Sequence, residues 1–256
     1  MIQLPKAFLD APIAHRGYHD VQNGRPENSR AAFQAAISMG YGIELDVQLS
    51  LDDQAMVFHD EELQRLTGQE GLVRSRPQTD LASIPLLHGS ETIPGLSEIL
   101  DLVAGQVPLL IEIKDQDGGM GPNVGPLEAA VAAAIASYEG PLAVMSFNPN
   151  AIRAFLQHTQ AWPVGLVTSS YEESAWPELE PEVCHHLRDI PDYEELGASF
   201  ISHEVHDLRA KVVSDIRTKG GNILCWTVRS EEVEKIARGY ADNITFEGYA
   251  AQMVGG

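Results

Sequence analysis

Between Gly42 and Ser50 the chain alternates: Ile43, Leu45, Val47 and Leu49 are apolar, with Glu44 and Asp46 between them. That is the two-residue period of a β-strand, and it puts two carboxylates on one face. If that face met bulk water the pair would be ordinary. If it lined a barrel mouth or cleft, each acid would raise the other's pKa unless a cation lay between them. The pattern recurs from Leu109 to Lys114, where Leu109, Ile111 and Ile113 take one face and Glu112 and Lys114 the other.

Around these two strands, short β-rich runs alternate with helical ones. The run PIAHRG predicts a first strand, and SRAAFQAAISMG predicts a helix capped by Asn28 or Ser29 and ended at Gly40. After IELDVQLS, Asp52 and Asp53 suit a hairpin turn whose second arm is Ala55 to Asp60. From Glu61 to about Pro94 the periodicity is weak, which predicts a small cap outside the main core. Alternation then resumes with helix LSEILDLVAG, strand VPLLIEIK, an Ala-rich helix from Leu127 to Tyr138, strand PLAVMSF and a helix opened by Asn148 and Pro149. The last strands are WPVGLVT, ASFISHE, NILCWTV and NITFEG. Helical segments fall near Pro191 to Leu196, Leu208 to Lys219 and Ser230 to Arg238. Without the hairpin arm there are eight strands. Eight βα units in one chain favour a TIM-type (β/α)8 barrel of the α/β class, although a doubly wound open sheet gives nearly the same local signals.

Composition narrows the partners. The 256 residues are 44% hydrophobic, enough to bury a full core. Seventeen Lys and Arg against thirty-seven Asp and Glu give a formal charge of -20, which repels nucleic acid and anionic membrane surfaces. An anionic substrate would have to be captured by a few local cations or a metal rather than by the overall field. No stretch approaches the roughly 18 uncharged apolar residues of a membrane span, and the N-terminus lacks a leader pattern, so a cytoplasmic protein with no membrane insertion is expected. The two cysteines, Cys184 and Cys225, do not form a disulfide framework and read as reduced thiols. No pattern specifies an oligomeric state.

Active sites of such barrels lie at the C-terminal ends of the strands. Four places bring chemistry there: His15 with Arg16, Glu44 with Asp46, His59, and Glu112 with Lys114. Three carboxylates, Glu44, Asp46 and Glu112, make a hard oxygen site suited to Mg²⁺ or Ca²⁺. Arg16 and Lys114 suit a phosphate, the first as a planar fork and the second as a point charge. His15 and His59 supply a pair of proton-transfer groups. A Zn²⁺ site is only hinted at by His203 and His206 in HEVH, which read better as a surface loop. His19, His88, His158, His185 and His186 read as surface or loop residues.

These residues sit in an ordered series: AHRG (14–17), PENS (26–29), IELDVQLSLD (43–52), VFHD (57–60), LLIEIK (109–114), SF (146–147) and CWTV (225–228). The series resembles the signature of the glycerophosphodiester phosphodiesterase family. That resemblance implies one phosphodiesterase barrel domain over residues 1–256 with an insertion at about 61–94 after the hairpin, and a divalent metal, Mg²⁺ or Ca²⁺. It implies hydrolysis of a small-molecule glycerophosphodiester to glycerol 3-phosphate and an alcohol. Carried onto this chain, it makes Glu44, Asp46 and Glu112 metal ligands, His15 and His59 the acid/base pair, and Arg16 and Lys114 phosphate binders, with Trp226 lining the substrate pocket. In the implied reaction the glycerol hydroxyl next to the phosphate attacks phosphorus, a histidine protonates the leaving alcohol, and water opens the cyclic product. The chain departs from the family at its last strand. NITFEGYAAQM puts Glu247 where the family's Thr-Asp-x-Pro has Asp, and lacks the Pro, so the far wall of the pocket is expected to differ.

Three other functions use the same residues. The site could act on another phosphoester, such as a lysophospholipid or a cyclic phosphate. Lys114 could form a Schiff base, although Glu112 and Glu44 would keep it protonated. The barrel could also bind phosphate without catalysis.

Overall fold

In a computed structural model that describes residues 2–253, nine strands form one sheet that closes on itself. Eight run parallel: β1 (Ile13–Ala14), β2 (Gly42–Leu49), β4 (Leu109–Ile113), β5 (Leu142–Ser146), β6 (Val164–Thr168), β7 (Phe200–Glu204), β8 (Asn222–Val228) and β9 (Asn243–Phe246). The short β3 (Ala55–Val57) folds back antiparallel on the end of β2. Because β1 pairs with both β2 and β9, the parallel strands close into a TIM-type barrel, which decides against an open sheet. Around it lie α1 (Ala7–Asp10), α2 (Arg30–Met39), α3 (Gln64–Thr67), α4 (Gln78–Leu81), α5 (Leu96–Val103), α6 (Pro126–Ala134), α7 (Pro149–His158), α8 (Pro181–Asp189), α9 (Asp192–Glu195), α10 (Lys211–Thr218) and α11 (Glu231–Ala237).

The strand period sorts the apolar residues into two layers. Ile43, Leu45, Val47, Leu109, Ile111 and Ile113 face outward and pack under the helices with Phe33, Leu96 and Val131. Leu110, Ala143, Met145, Val167, Phe200 and Leu224 face inward and fill the barrel, together with Leu4 and Phe8 from the N-terminal segment. Asn243 fixes that segment by donating from Nδ2 to the carbonyls of Phe8 and Ala11, each at 2.6 Å. Both faces of β2 are therefore buried, and the carboxylates of Glu44 and Asp46 point into the lumen rather than toward bulk water.

Local chemistry sets the helix ends. Ser29, not Asn28, caps α2, its Oγ accepting from the Ala32 amide at 3.2 Å, and Gly40 ends the helix at φ 73°. Asn148 caps α7 ahead of Pro149. Strand β1 is shorter than expected because Arg16 adopts φ 56° and turns the chain away immediately after His15. Between β3 and α5, Leu63, Val73, Leu81, Ile84 and Ile93 gather around Met56 and Phe58 in a small core of their own.

Helix α8 has no counterpart among the elements the sequence predicts, because SSYEESAWPELEPEV is dense in charge and turn-forming residues. Its signal was confined to Pro181 at the first turn and to the spacing of Cys184 and Leu187, both of which are buried. Both cysteines are free, and burial pushes the Cys225 thiol up to about 12. No helix among the described residues is long and apolar enough to cross a membrane.

In the lumen Gly165 leaves no room for a side chain, because a Cβ there would overlap the buried ring of Phe200. Gly165→Ala should therefore destabilise the fold by about 1–3 kcal/mol through overpacking. Phe200→Leu in the same chain should recover part of the loss, as read from the urea midpoint. Equal stability of Gly165→Ala and the parent chain would contradict this packing.

Candidate active site

Sheet register assembles the site. Pairing of Ala14 with Ile43 sets His15 beside Glu44, and pairing of Asp46 with Glu112 sets two acids side by side on adjacent strands. Glu44, Asp46 and Glu112 are all buried, and one carboxylate oxygen from each lies within 4.8 Å of the others. Lys114 continues the inward face of β4, with Nζ 2.6 Å from Glu112 and 3.4 Å from Asp46. Arg16 reaches in from the loop after β1, its Nε 3.4 Å from Asp46 and its backbone amide donating to Glu44 Oε2 at 2.9 Å.

Two cations do not neutralise three buried acids. Burial, with the charges of Asp46 and Glu112, holds the Glu44 carboxyl well above the usual carboxylate range. Burial also pushes Asp46 up, but Lys114, His59, Arg16 and His15 overrule it and hold Asp46 below that range. Lys114 is raised despite its burial, because Glu112 and Asp46 favour its charge. A lysine held protonated in this way is unsuited to Schiff-base chemistry. Glu44 Oε1 and Asp46 Oδ1 are buried without a hydrogen bond, Asp46 Oδ1 having only its 3.4 Å ion pair with Lys114. Oxygens left short of hydrogen bonds in this way, three carboxylates deep in one cluster, fit a divalent cation.

Each of the two histidines carries a carboxylate on Nδ1. Glu247 Oε2 lies 2.5 Å from His15 Nδ1, and Asp60 Oδ1 lies 2.7 Å from His59 Nδ1. A carboxylate there selects the Nδ1–H tautomer and leaves Nε2 free. Burial lowers the pKa of His15 even though its bond to Glu247 raises it. Glu247 is in turn held by Arg229 at 2.7 Å and lies 3.7 Å from His19. Burial pushes Glu247 up, yet its bond to His15, with His19 and Arg229 close by, keeps it well below the usual carboxylate range.

All eight residues singled out in the sequence thus come together at one end of the barrel. Seven of them line a cavity of about 500 Å³: His15, Arg16, Glu44, His59, Glu112, Lys114 and Trp226; Asp46 is clustered with Glu44 and Glu112 but is not part of the lining. Opposite the charged residues, Phe147 stands 5.4 Å from both Trp176 and Trp226, ring centroid to centroid, and forms an aromatic wall. Trp226 donates from Nε1 to the Ser202 carbonyl at 3.0 Å. One expectation fails. His203 is not on a surface loop; it is fully buried on β7, bonded to Thr168 and Asp207, and is not among the clustered ligands. His19 is a loop residue as expected, and the loop sets it half-buried beside Glu247.

Several supporting residues carried no role in the sequence. Glu27 accepts from Arg16 at 2.7 Å, and Asn28, at φ 54°, donates from Nδ2 to Asp46 at 2.9 Å. The polar run PENS just before a helix was the only local hint of either. Asp60 adjoins His59 in sequence, and Glu247 was marked by its departure from the family ending. Arg65 and Arg229 had no signal at all.

Comparison with known proteins agrees with this geometry. The model of the Glycerophosphoryl diester phosphodiesterase family matches residues 15–245. A glycerophosphodiester phosphodiesterase from Caldanaerobacter subterraneus is 27% identical, with 91% of each chain covered. One from Bacillus altitudinis is 40% identical over 109 residues, 40% of this chain and 43% of that one. Among solved structures, a phosphodiesterase of Oleispira antarctica in complex with the product sn-glycerol-3-phosphate superposes with a TM-score of 0.75 at 26% identity, covering 94% of both chains. Barrel, site and relatives together define a phosphoric diester hydrolase. The chain belongs to the glycerophosphoryl diester phosphodiesterase family.

The depressed Glu247 carboxyl has a consequence for stability. A group that ionises below its unfolded value contributes fully above the ordinary carboxylate range, and the contribution is lost as pH falls toward the folded value. Glu247→Gln should therefore destabilise the protein by about 1–2 kcal/mol at neutral pH, a magnitude discounted for partial exposure. The difference should shrink below about pH 4. Urea unfolding of both proteins from pH 7 to pH 3 checks this; a gap that stays constant would contradict it.

Proposed function

We propose that this chain hydrolyses glycerophosphodiesters to glycerol 3-phosphate and an alcohol with the help of a divalent cation, Mg²⁺ or Ca²⁺. The whole chain, with its 61–94 segment, acts as one catalytic unit. The observation that carries the reading is the buried trio of Glu44, Asp46 and Glu112, clustered within 4.8 Å and with two oxygens that accept no hydrogen bond. The glycerol 3-phosphate bound by the Oleispira antarctica relative supports the same product here.

Glu44, Asp46 and Glu112 would hold the cation, which when bound supplies Lewis acidity toward a phosphoryl oxygen. Arg16 and Lys114 flank that position and clamp the phosphate, the guanidinium as a fork and the ammonium as a point charge. Burial favours the neutral form of His15, the form in which Nε2 accepts the proton of the attacking hydroxyl. His59, the more exposed of the pair, returns a proton to the oxygen of the departing alcohol as the P–O bond breaks. Water then opens the cyclic phosphate with the roles reversed, His59 taking the proton of the water and His15 returning one to the glycerol oxygen, so that both histidines are restored and one water is consumed overall. Trp226 and the aromatic wall receive the organic part of the substrate and exclude solvent from it. The same wall favours a second substrate class, lysophospholipids, whose alkyl chains Phe147, Trp176 and Met120 could cover.

Three outcomes test the reading. Release of glycerol 3-phosphate from glycerophosphocholine should cease in chelator and return with Mg²⁺ or Ca²⁺, while a panel that adds lysophospholipids ranks the two substrate classes. Absence of turnover on every diester with metal present would sink the proposal. His15→Ala and His59→Ala should each lower kcat by roughly 10²–10⁴-fold, with metal affinity within a few-fold of the parent. Because Glu44 is held above the usual carboxylate range, cation binding should expel its proton, so apparent affinity should rise with pH. Calorimetry in buffers of different ionisation enthalpy should register that release, and identical heats would argue against Glu44 as a ligand.

A further inference from the structure

Arg65 lies on α3, outside the barrel, and does not line the cavity. Its guanidinium nevertheless spans two arms of the site. One edge grips Asp60, with Nε 2.6 Å from Oδ2 and Nη2 2.8 Å from Oδ1. The other grips Glu27, with Nη1 2.9 Å from Oε2 and Nη2 2.9 Å from Oε1. Those two inner oxygens are the ones that the active-site donors use: Asp60 Oδ1 contacts His59 Nδ1 at 2.7 Å, and Glu27 Oε1 accepts from Arg16 Nη1 at 2.7 Å. Arg65 Nη2 is thus the shared point of a chain running from His59 through Asp60 and Glu27 to Arg16.

We infer that Arg65 is a positioning residue of the reaction: it sets the spacing between His59 and Arg16, and so between the proton donor and the phosphate clamp. The inference rests on the roles proposed above for those two residues. Asp60 is the turn after the hairpin arm and Glu27 belongs to the loop before α2, so no shared strand or helix fixes one against the other. A planar fork with two donor edges can hold two carboxylates in one plane, whereas a lysine at this place would neutralise them without fixing their orientation. Both acids are held below the usual carboxylate range. Burial opposes this in each, and the bonds from Arg65 to Glu27 and from His59 and Arg65 to Asp60 overcome it. Arg65 is 48% exposed while Glu27 is 15% exposed, so the bridge closes the outer side of an otherwise sheltered network. The segment at 61–94 therefore contributes to the reaction through this arginine, and not only by covering the hairpin.

The test measures kcat and KM of Arg65→Ala and Arg65→Lys on the diester that the parent enzyme turns over, alongside Arg74→Ala, an exposed arginine of the same segment, as control. Arg65→Ala should lose roughly 10- to 100-fold in kcat/KM, the cost of a small misplacement of reacting groups, through both a lower kcat and a higher KM. Arg65→Lys, which keeps the charge and guards against a folding defect, should recover less than half of that loss on a logarithmic scale. Arg74→Ala should match the parent. In an Asp60→Asn, Glu27→Gln background the further cost of Arg65→Ala should shrink below about threefold, since the groups it acts through are gone. Independently of turnover, ring ¹⁵N spectra should show the His59 signals shifted in Arg65→Ala and those of His203 unchanged. Values of kcat and KM within twofold of the parent, or His59 signals that do not move, overturn the inference. A parent chain that hydrolyses no diester would instead count against the proposed function, with the spectra still deciding whether Arg65 sets the His59 ring.

Discussion

Three carboxylates driven into the mouth of a barrel by strand pairing are the constraint from which the rest of this site follows. Inward projection is not optional for them: the apolar residues at the intervening positions of β2 and β4 are committed to the helical layer, so Glu44, Asp46 and Glu112 must occupy the lumen. Their mutual repulsion there is large, because burial removes the water that would screen it. Arg16 and Lys114 answer two of the three charges, and the raised Glu44 carboxyl expresses the third. Under the proposed function a divalent cation would turn that deficit of one positive charge into an excess of one, which is what a phosphodiester monoanion requires. Substrate charge and site charge would then balance, in a protein whose overall field is strongly repulsive to anions.

Around that inner ring the molecule repeats one device. Each functional group with rotational freedom is held by a carboxylate or an amide, and that partner is held in turn. Glu247 and Arg229 stand behind His15, and Asp60 and Arg65 behind His59. Glu27 stands behind Arg16, and Asn28 behind Asp46. The left-handed backbone of Arg16 and Asn28 makes the two turns that bring the first loop back over β2. Orientation is thereby fixed before any substrate arrives, so less ordering remains to be done on binding.

Period-two alternation made the inner ring legible, because carboxylates spaced by two on a strand share a face whatever the fold, and the ordered family motifs supplied the rest. The outer supports were not legible for a geometric reason. Arg65 meets Glu27 across 38 positions, and Glu247 meets His15 across 232, so no local pattern can announce either contact. His203 shows the converse error. HEVH looks like a polar loop by composition, yet His203 takes the buried side of β7, where Thr168 on the neighbouring strand satisfies its Nδ1. A buried polar residue with a partner is indistinguishable in sequence from an exposed one without.

The same contrast separates the chemistry of this enzyme from its selectivity. The charged side of the cavity is built on strand ends, whose spacing is set by backbone hydrogen bonds and is readable from alternation. On the aromatic side Trp226 alone sits on a strand, β8, and its two companions sit on connections: Phe147 follows β5, and Trp176 lies in the segment before α8, packed with Tyr171 over the small cluster of Leu179, Cys184 and Leu187. Connections can change length and composition without disturbing the barrel, because few backbone hydrogen bonds of the sheet depend on them. Strand ends cannot, since a shift of one residue would turn every carboxylate out of the lumen. Under the proposed function, a barrel of this design would hold its phosphoryl chemistry on the strand ends while the connections that carry Phe147 and Trp176 meet the alcohol.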